Sequence, residues 1–158
     1  MKRHDAGSVE QSIGAEATPG VRWHATLPPL PYLIAVAVGG AIGAVARHLF
    51  VLAFPRDAGA FPTVTFAENI VGAFLLGVVL VALLRSPRLS MRWRPFMATG
   101  VLGSFTTFSN VSVQILELTA EGRVGTAALY VAASLAVGLG AAAAGIALGA
   151  RIMRGWRP

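Results

Sequence analysis

Apolar residues run almost unbroken through four stretches of this chain, at about 31 to 54, 62 to 84, 95 to 118 and 124 to 150. Each matches the roughly 20 residues a helix needs to cross a bilayer. The connections between them are short and polar. Ahead of the first stretch, residues 1 to 28 are rich in Gly, Ser, Glu, Pro and Ala and contain no long apolar run. That composition predicts a disordered, cytoplasmic N-terminal extension rather than a signal peptide, since no continuous apolar core or small-residue cleavage site precedes the first span. The pattern predicts an all-α membrane protein with a four-span domain over residues 29 to 150 and a cytoplasmic tail over 151 to 158. A hydrophobic content of 55% and a mean hydropathy of +0.67 fit that class and exclude an ordinary soluble domain.

The third stretch carries the densest polar interruption. Residues 100 to 112, Gly-Val-Leu-Gly-Ser-Phe-Thr-Thr-Phe-Ser-Asn-Val-Ser, place two glycines, six hydroxyl or amide side chains and two phenylalanines at membrane depth. Irregular backbone is tolerated there only where protein or an aqueous cavity receives its polar groups. Gly103 invites an unwound turn, and β-branched Thr106 and Thr107 weaken the helix, so a break is expected near residues 103 to 107. A break frees carbonyl oxygens, which suit a hard monovalent cation. It also leaves amides, hydroxyls and the positive edges of Phe rings, which suit a small anion.

Polar positions in the other spans are fewer. Gly39, Gly43 and Arg47 recur every four residues in the first span, with Gly40 and Ala44 beside them, giving a face that lets another helix approach closely. Arg47, inside the apolar stretch, must snorkel, pair or line an aqueous vestibule. In the second span Thr65, Asn69, Gly72 and Ala73 share one helical face. Asn69 lies roughly 10 Å into the helix, where its amide needs a packing partner or a permeant ion. Glu68, beside it, is a carboxylate that must be protonated or paired with an arginine from another helix or chain.

Charge refines orientation more than function. Lys2, Arg3, Arg22, Arg85, Arg88, Arg92, Arg94, Arg151, Arg154 and Arg157, ten residues, fall on the side holding both termini and the second connection. The other side has Arg56 and Arg123, with Arg47 near the end of the first span. Such a bias keeps the basic side, and hence both termini, in the cytoplasm of a prokaryotic inner membrane. A pI near 11.3 would otherwise suggest nucleic-acid binding, but these arginines sit at membrane edges. There is no cysteine, the three histidines are scattered, and Glu117 and Glu121 have no His, Cys or Asp within reach in sequence. Thiol chemistry, Cys-based metal sites and an enzyme are excluded on that basis.

Three segments together resemble the small fluoride channels called Fluc or CrcB: Gly43-Ala44-Val45-Ala46-Arg47, Thr65-x-x-x-Asn69-x-x-Gly72-x-Phe74 and Gly103-Ser104-Phe105-Thr106-Thr107-Phe108-Ser109. The resemblance covers about residues 31 to 150. It implies a four-helix subunit with its third helix broken near the middle, an antiparallel dimer, two fluoride pores and a central structural sodium ion. On that reading Gly103 and Thr106 match positions whose main-chain carbonyls hold sodium. Asn69 matches the pore amide, Phe108 the first pore phenylalanine, Ser109 the first hydroxyl of a polar track and Arg47 the basic vestibule residue, while Ser134 sits at a polar position of the fourth span.

Several positions depart from the family pattern Gly-Gly-x-Thr-Thr-Phe-Ser-Thr-Phe. Ser104 replaces the second Gly, Asn110 a track Thr and Val111 the second Phe, while Glu68 precedes the Asn and Gln114 stands where a vestibule Glu often sits. Val111 lacks an aromatic edge, and Glu68 adds negative charge beside the pore amide. Antiparallel homodimers need dual insertion, which the charge bias opposes. The expectation is a passive exporter of cytoplasmic fluoride that works as the N-in half of a heterodimer with an oppositely oriented family member, Asn69, Phe108, Ser109, Asn110 and Arg47 facing the anion. The alternative is a structural, non-conducting partner subunit. A small multidrug-type exporter would need a carboxylate in the first span, and residues 31 to 54 contain none.

Overall fold

A computed structural model of the chain describes residues 28–54, 61–86 and 93–154. The N-terminal extension, the end of the C-terminal tail, Arg56, Arg88, Arg92 and Arg157 lie outside the described residues. Every regular element among the described residues is a helix: α1 (Leu30–Ala53), α2 (Thr63–Arg85), α3 (Arg94–Leu102), α4 (Gly103–Phe105), α5 (Phe108–Ala120) and α6 (Val124–Ile152).

Local sequence sets their ends. α1 follows Pro29, which occupies a position where a backbone N–H would have no helical partner. It ends at Phe54, extended at φ −123° and ψ 91°, as expected for the residue before Pro55. α5 and α6 are joined by a tight turn in which Gly122 takes φ 75°, a conformation that favours glycine. α3 is wound as a π-helix, a wider form frequent at functional sites.

α1, α2 and α6 are long and apolar enough to cross a membrane. Much of their apolar surface is uncovered, including Leu33, Ile34, Val38, Ile42, Val45 and Leu49 on α1 and Leu129, Leu135 and Leu139 on α6. In water such a continuous surface would drive association; in lipid it is the solvated face.

Small residues hold the bundle together. A methyl group on Gly39 or Gly43 of α1 would overlap the backbone of Phe96 or Val101, so α1 lies against α3 at backbone distance. Gly77 meets the backbone of Ala142, and Gly145 that of Phe74, so α2 and α6 approach equally closely. Gly39 against Phe96 and Gly43 against Val101 make α1 parallel to α3, and Gly145 against Phe74 with Gly149 against Val78 make α2 parallel to α6. α1 and α2 run antiparallel, Phe50 and Phe54 facing Thr63, Val64 and Ala67.

Candidate functional site

The chain leaves helical geometry at two residues after α4. Thr106 has φ −76° and ψ 153°, and Thr107 has φ −142° and ψ 119°. Gly103, where the sequence suggested an unwound turn, stays helical at φ −65° and ψ −27°. The reason lies across the bundle. Asn69 on α2 donates from Nδ2 to the Thr107 carbonyl at 3.0 Å and accepts from the Thr107 N–H on Oδ1 at 2.9 Å. The amide replaces a missing turn of helix at the β-branched residue least suited to one.

Thr107 in turn starts α5. Its Oγ1 accepts from the Asn110 N–H at 3.2 Å, a side-chain N-cap, and lies 3.1 Å from Ser109 Oγ. Thr106 Oγ1 donates back to the Leu102 carbonyl at 3.0 Å, and the Thr106 N–H reaches the same oxygen at 3.1 Å. In a continuous helix the N–H groups of Thr107 and Asn110 would bond the carbonyls of Gly103 and Thr106. Here Asn69 and Thr107 Oγ1 take both donors. Two carbonyl oxygens at the break are thereby released from the helical ladder, which is the donor set a monovalent cation prefers.

On the other side of the break, Phe108 is 84% exposed and Ser109 is exposed, with Asn110 half-buried. These residues form a surface that the subunit itself does not cover. The opposite face of α5 is sealed. Gln114 Nε2 donates to Thr65 Oγ1 at 2.8 Å, and the Tyr130 hydroxyl donates to Gln114 Oε1 at 2.9 Å. All three residues are buried, and the chain of bonds ties α2, α5 and α6 together.

The sequence-derived candidates therefore fall into separate groups. Asn69, Gly103, Thr106 and the start of α5 converge on the break. Arg47, half-buried on α1, makes no hydrogen bond or ion pair among the described residues, and Ser134, one turn beyond Tyr130 on α6, takes part in none of these bonds. Tyr130 is not singled out by the sequence, Thr107 stands there only as a helix-weakening residue at the expected break, and Gln114 only as a departure. Their signal was available in one respect, since Thr65 and Gln114 are polar residues in apolar spans and each required a partner.

Residues 34–146 match the family model described as CrcB-like protein, Camphor Resistance. The chain belongs to the CrcB family. Among its CrcB relatives, a fluoride-specific ion channel FluC of Agrobacterium fabrum is 47% identical over 115 residues, 72% of this chain and 92% of that protein. A fluoride-specific ion channel FluC of Cereibacter sphaeroides is 43% identical over 125 residues, 78% of this chain and 95% of the relative. FluC 3 of Streptomyces avermitilis is 46% identical over 117 residues, 74% of this chain but 57% of its own length. These CrcB relatives are named as ion channels, not enzymes. The match begins at residue 34, after the N-terminal extension, and spans every element that builds the break.

Proposed function

We propose that this chain is a subunit of a fluoride channel through which cytoplasmic fluoride leaves the cell passively, down its gradient. The observation that carries this reading is the break itself: Asn69 holds Thr107 out of the helix, directly before an uncovered Phe108 and Ser109. A path lined by hydroxyls, an amide N–H and an aromatic edge favours a small, strongly hydrated anion, because each group donates positive charge without a fixed cation that would trap it. Phe108, Ser109, Asn110 and the second N–H of Asn69 supply those contacts, and Arg47 draws anions to the mouth.

Gly103 and Thr106 would present their released carbonyls to a structural sodium ion, which supplies a positive charge to join two such breaks. In an antiparallel dimer the exposed face around Phe108 meets its counterpart, which is how an uncovered aromatic at membrane depth becomes a pore wall. Basic ends keep both termini in the cytoplasm.

Purified chain reconstituted in liposomes loaded with fluoride tests this directly. Wild-type protein, alone or with an oppositely oriented family member, is expected to release fluoride, and Phe108→Ile is expected to abolish release through any pore it lines. Undiminished release by the variant would remove Phe108 from the path.

A second reading is favoured by Glu68, fully buried one residue before Asn69, and by Val111 in place of a second phenylalanine. In this reading the chain completes the architecture of a heterodimer whose partner conducts. Mixed dimers carrying Phe108→Ile on this chain alone separate the two, since flux is then retained.

A further inference from the structure

Glu68 is the one charged side chain among the described residues that is wholly enclosed, with 0% of its surface exposed. Neither carboxylate oxygen has a hydrogen-bond partner among the described residues. Its neighbours on α2 are occupied elsewhere: Thr65 accepts from Gln114, and Asn69 holds Thr107. An enclosed carboxylate in a membrane span calls for a specific compensating group.

The register of α1 against α2 identifies it. Phe50 and Phe54 of α1 line a common cavity of about 160 Å³ with Thr63, Val64 and Ala67 of α2. In this antiparallel pair, moving one turn back along α1 corresponds to moving one turn forward along α2. Arg47 precedes Phe50 by three residues, and Glu68 follows Val64 by four, so each occupies the next level of the same interface. Arg47 is half-buried and lacks a hydrogen bond or ion pair among the described residues. The two groups are not in direct hydrogen-bond contact, and a guanidinium on a flexible stem can close such a gap.

We infer that Glu68 and Arg47 form an interhelical charge pair between α2 and α1, in which each is retained because the other is present. Glu68 is a positioning residue: it holds the Arg47 guanidinium inward and reduces the positive charge Arg47 presents at the vestibule. This assignment rests on packing and charge, and its test reads folding rather than fluoride release, so the proposed channel activity can fail without affecting it.

A double-mutant cycle on the full chain in detergent provides the test, with thermal unfolding and the fraction of monodisperse protein as readouts. Arg47→Gln leaves a carboxylate enclosed without its counter-charge and is expected to lower both. Glu68→Gln removes the enclosed charge and leaves both near wild type. The double variant Arg47→Gln/Glu68→Gln is expected to recover what Arg47→Gln loses, a coupling of about tenfold in the folded fraction, typical of interacting residues. Arg47→Lys, which keeps the charge, should resemble wild type. Recovery in the double variant supports the pair even if Arg47→Gln alone does not fold. A double variant no better than Arg47→Gln, or an Arg47→Gln protein as stable as wild type, overturns it.

Discussion

In the proposed channel, Asn69 occupies a position where helix and pore make competing demands on the same amide. One N–H and the carbonyl oxygen are committed to the Thr107 backbone, leaving the second N–H as its capacity for an anion. The residue therefore serves folding and, in the proposed channel, is expected to serve conduction as well. Asn69→Ala removes both bonds and leaves the Thr107 N–H and carbonyl without that partner inside an apolar bundle. Each net hydrogen bond contributes about 0.5–1.5 kcal/mol, and orphaned groups cost more, so a loss of roughly 2–3 kcal/mol in stability is expected. A lowered unfolding temperature in detergent checks this. Asn69→Asp keeps an acceptor for the Thr107 N–H but sets a carboxylate oxygen against the Thr107 carbonyl and cannot donate to an anion. The aspartate variant is therefore expected to be no more stable than the alanine variant and to pass no more fluoride, and equal flux from Asn69→Asp and wild type would exclude the amide from the path.

At the scale of elements, close approach decides which glycines matter. Gly145 on α6 sits against the backbone of Phe74, where any side chain would force α2 and α6 apart, whereas Gly125 on the same helix has nothing within 4 Å. Gly145→Leu is expected to cost several kcal/mol, of the order seen for overpacking. Gly125→Ala should be neutral or add up to about 1 kcal/mol through helix propensity; comparing their unfolding midpoints tests the assignment. Gly72 links this packing to the site, since a methyl there would collide with the Thr106 side chain. Gly72→Ala should displace the break and reduce fluoride release with a smaller effect on unfolding than Gly145→Leu.

The same contrast explains what could be read from the sequence. Apolar run length placed α1, α2 and α6 closely, because burial in lipid depends on composition alone, and Gly39 and Gly43 announced a close helix contact through their spacing. Thr106 and Thr107 marked an irregular region, but not the residue at which the helix ends. That is decided by Asn69, 38 positions away in the chain, and a contact of that range leaves no local pattern. Gln114 and Tyr130 were equally opaque for the same reason: their hydrogen bonds cross three helices, and a sequence reveals only that each needs a partner.

For the whole molecule, helix direction gathers the arginines. With α1 and α3 parallel and α2 and α6 running the other way, the ends bearing Arg85, Arg94, Arg151 and Arg154 lie on one side of the bundle, and Arg85 donates to the Ala150 carbonyl at 3.4 Å across that end. The turn carrying Glu121 and Arg123 lies on the other, where the two form an ion pair at 3.6 Å. Positive charge near span ends fixes orientation during insertion, so this chain is expected to enter the membrane in one direction only. Because it contains no cysteine, single cysteines report topology cleanly. In intact cells an impermeant maleimide should label Glu121→Cys, on the exposed turn, and leave Ser90→Cys, in the second connection, unlabelled until the membrane is opened. Equal labelling of both positions would mean mixed insertion and would favour an antiparallel homodimer built from this chain alone. Labelling of Glu121→Cys only would require that an antiparallel partner come from a different chain. Fluoride release should then depend on co-reconstituting a family member with the opposite arginine bias, and rise with it up to equal amounts of the two.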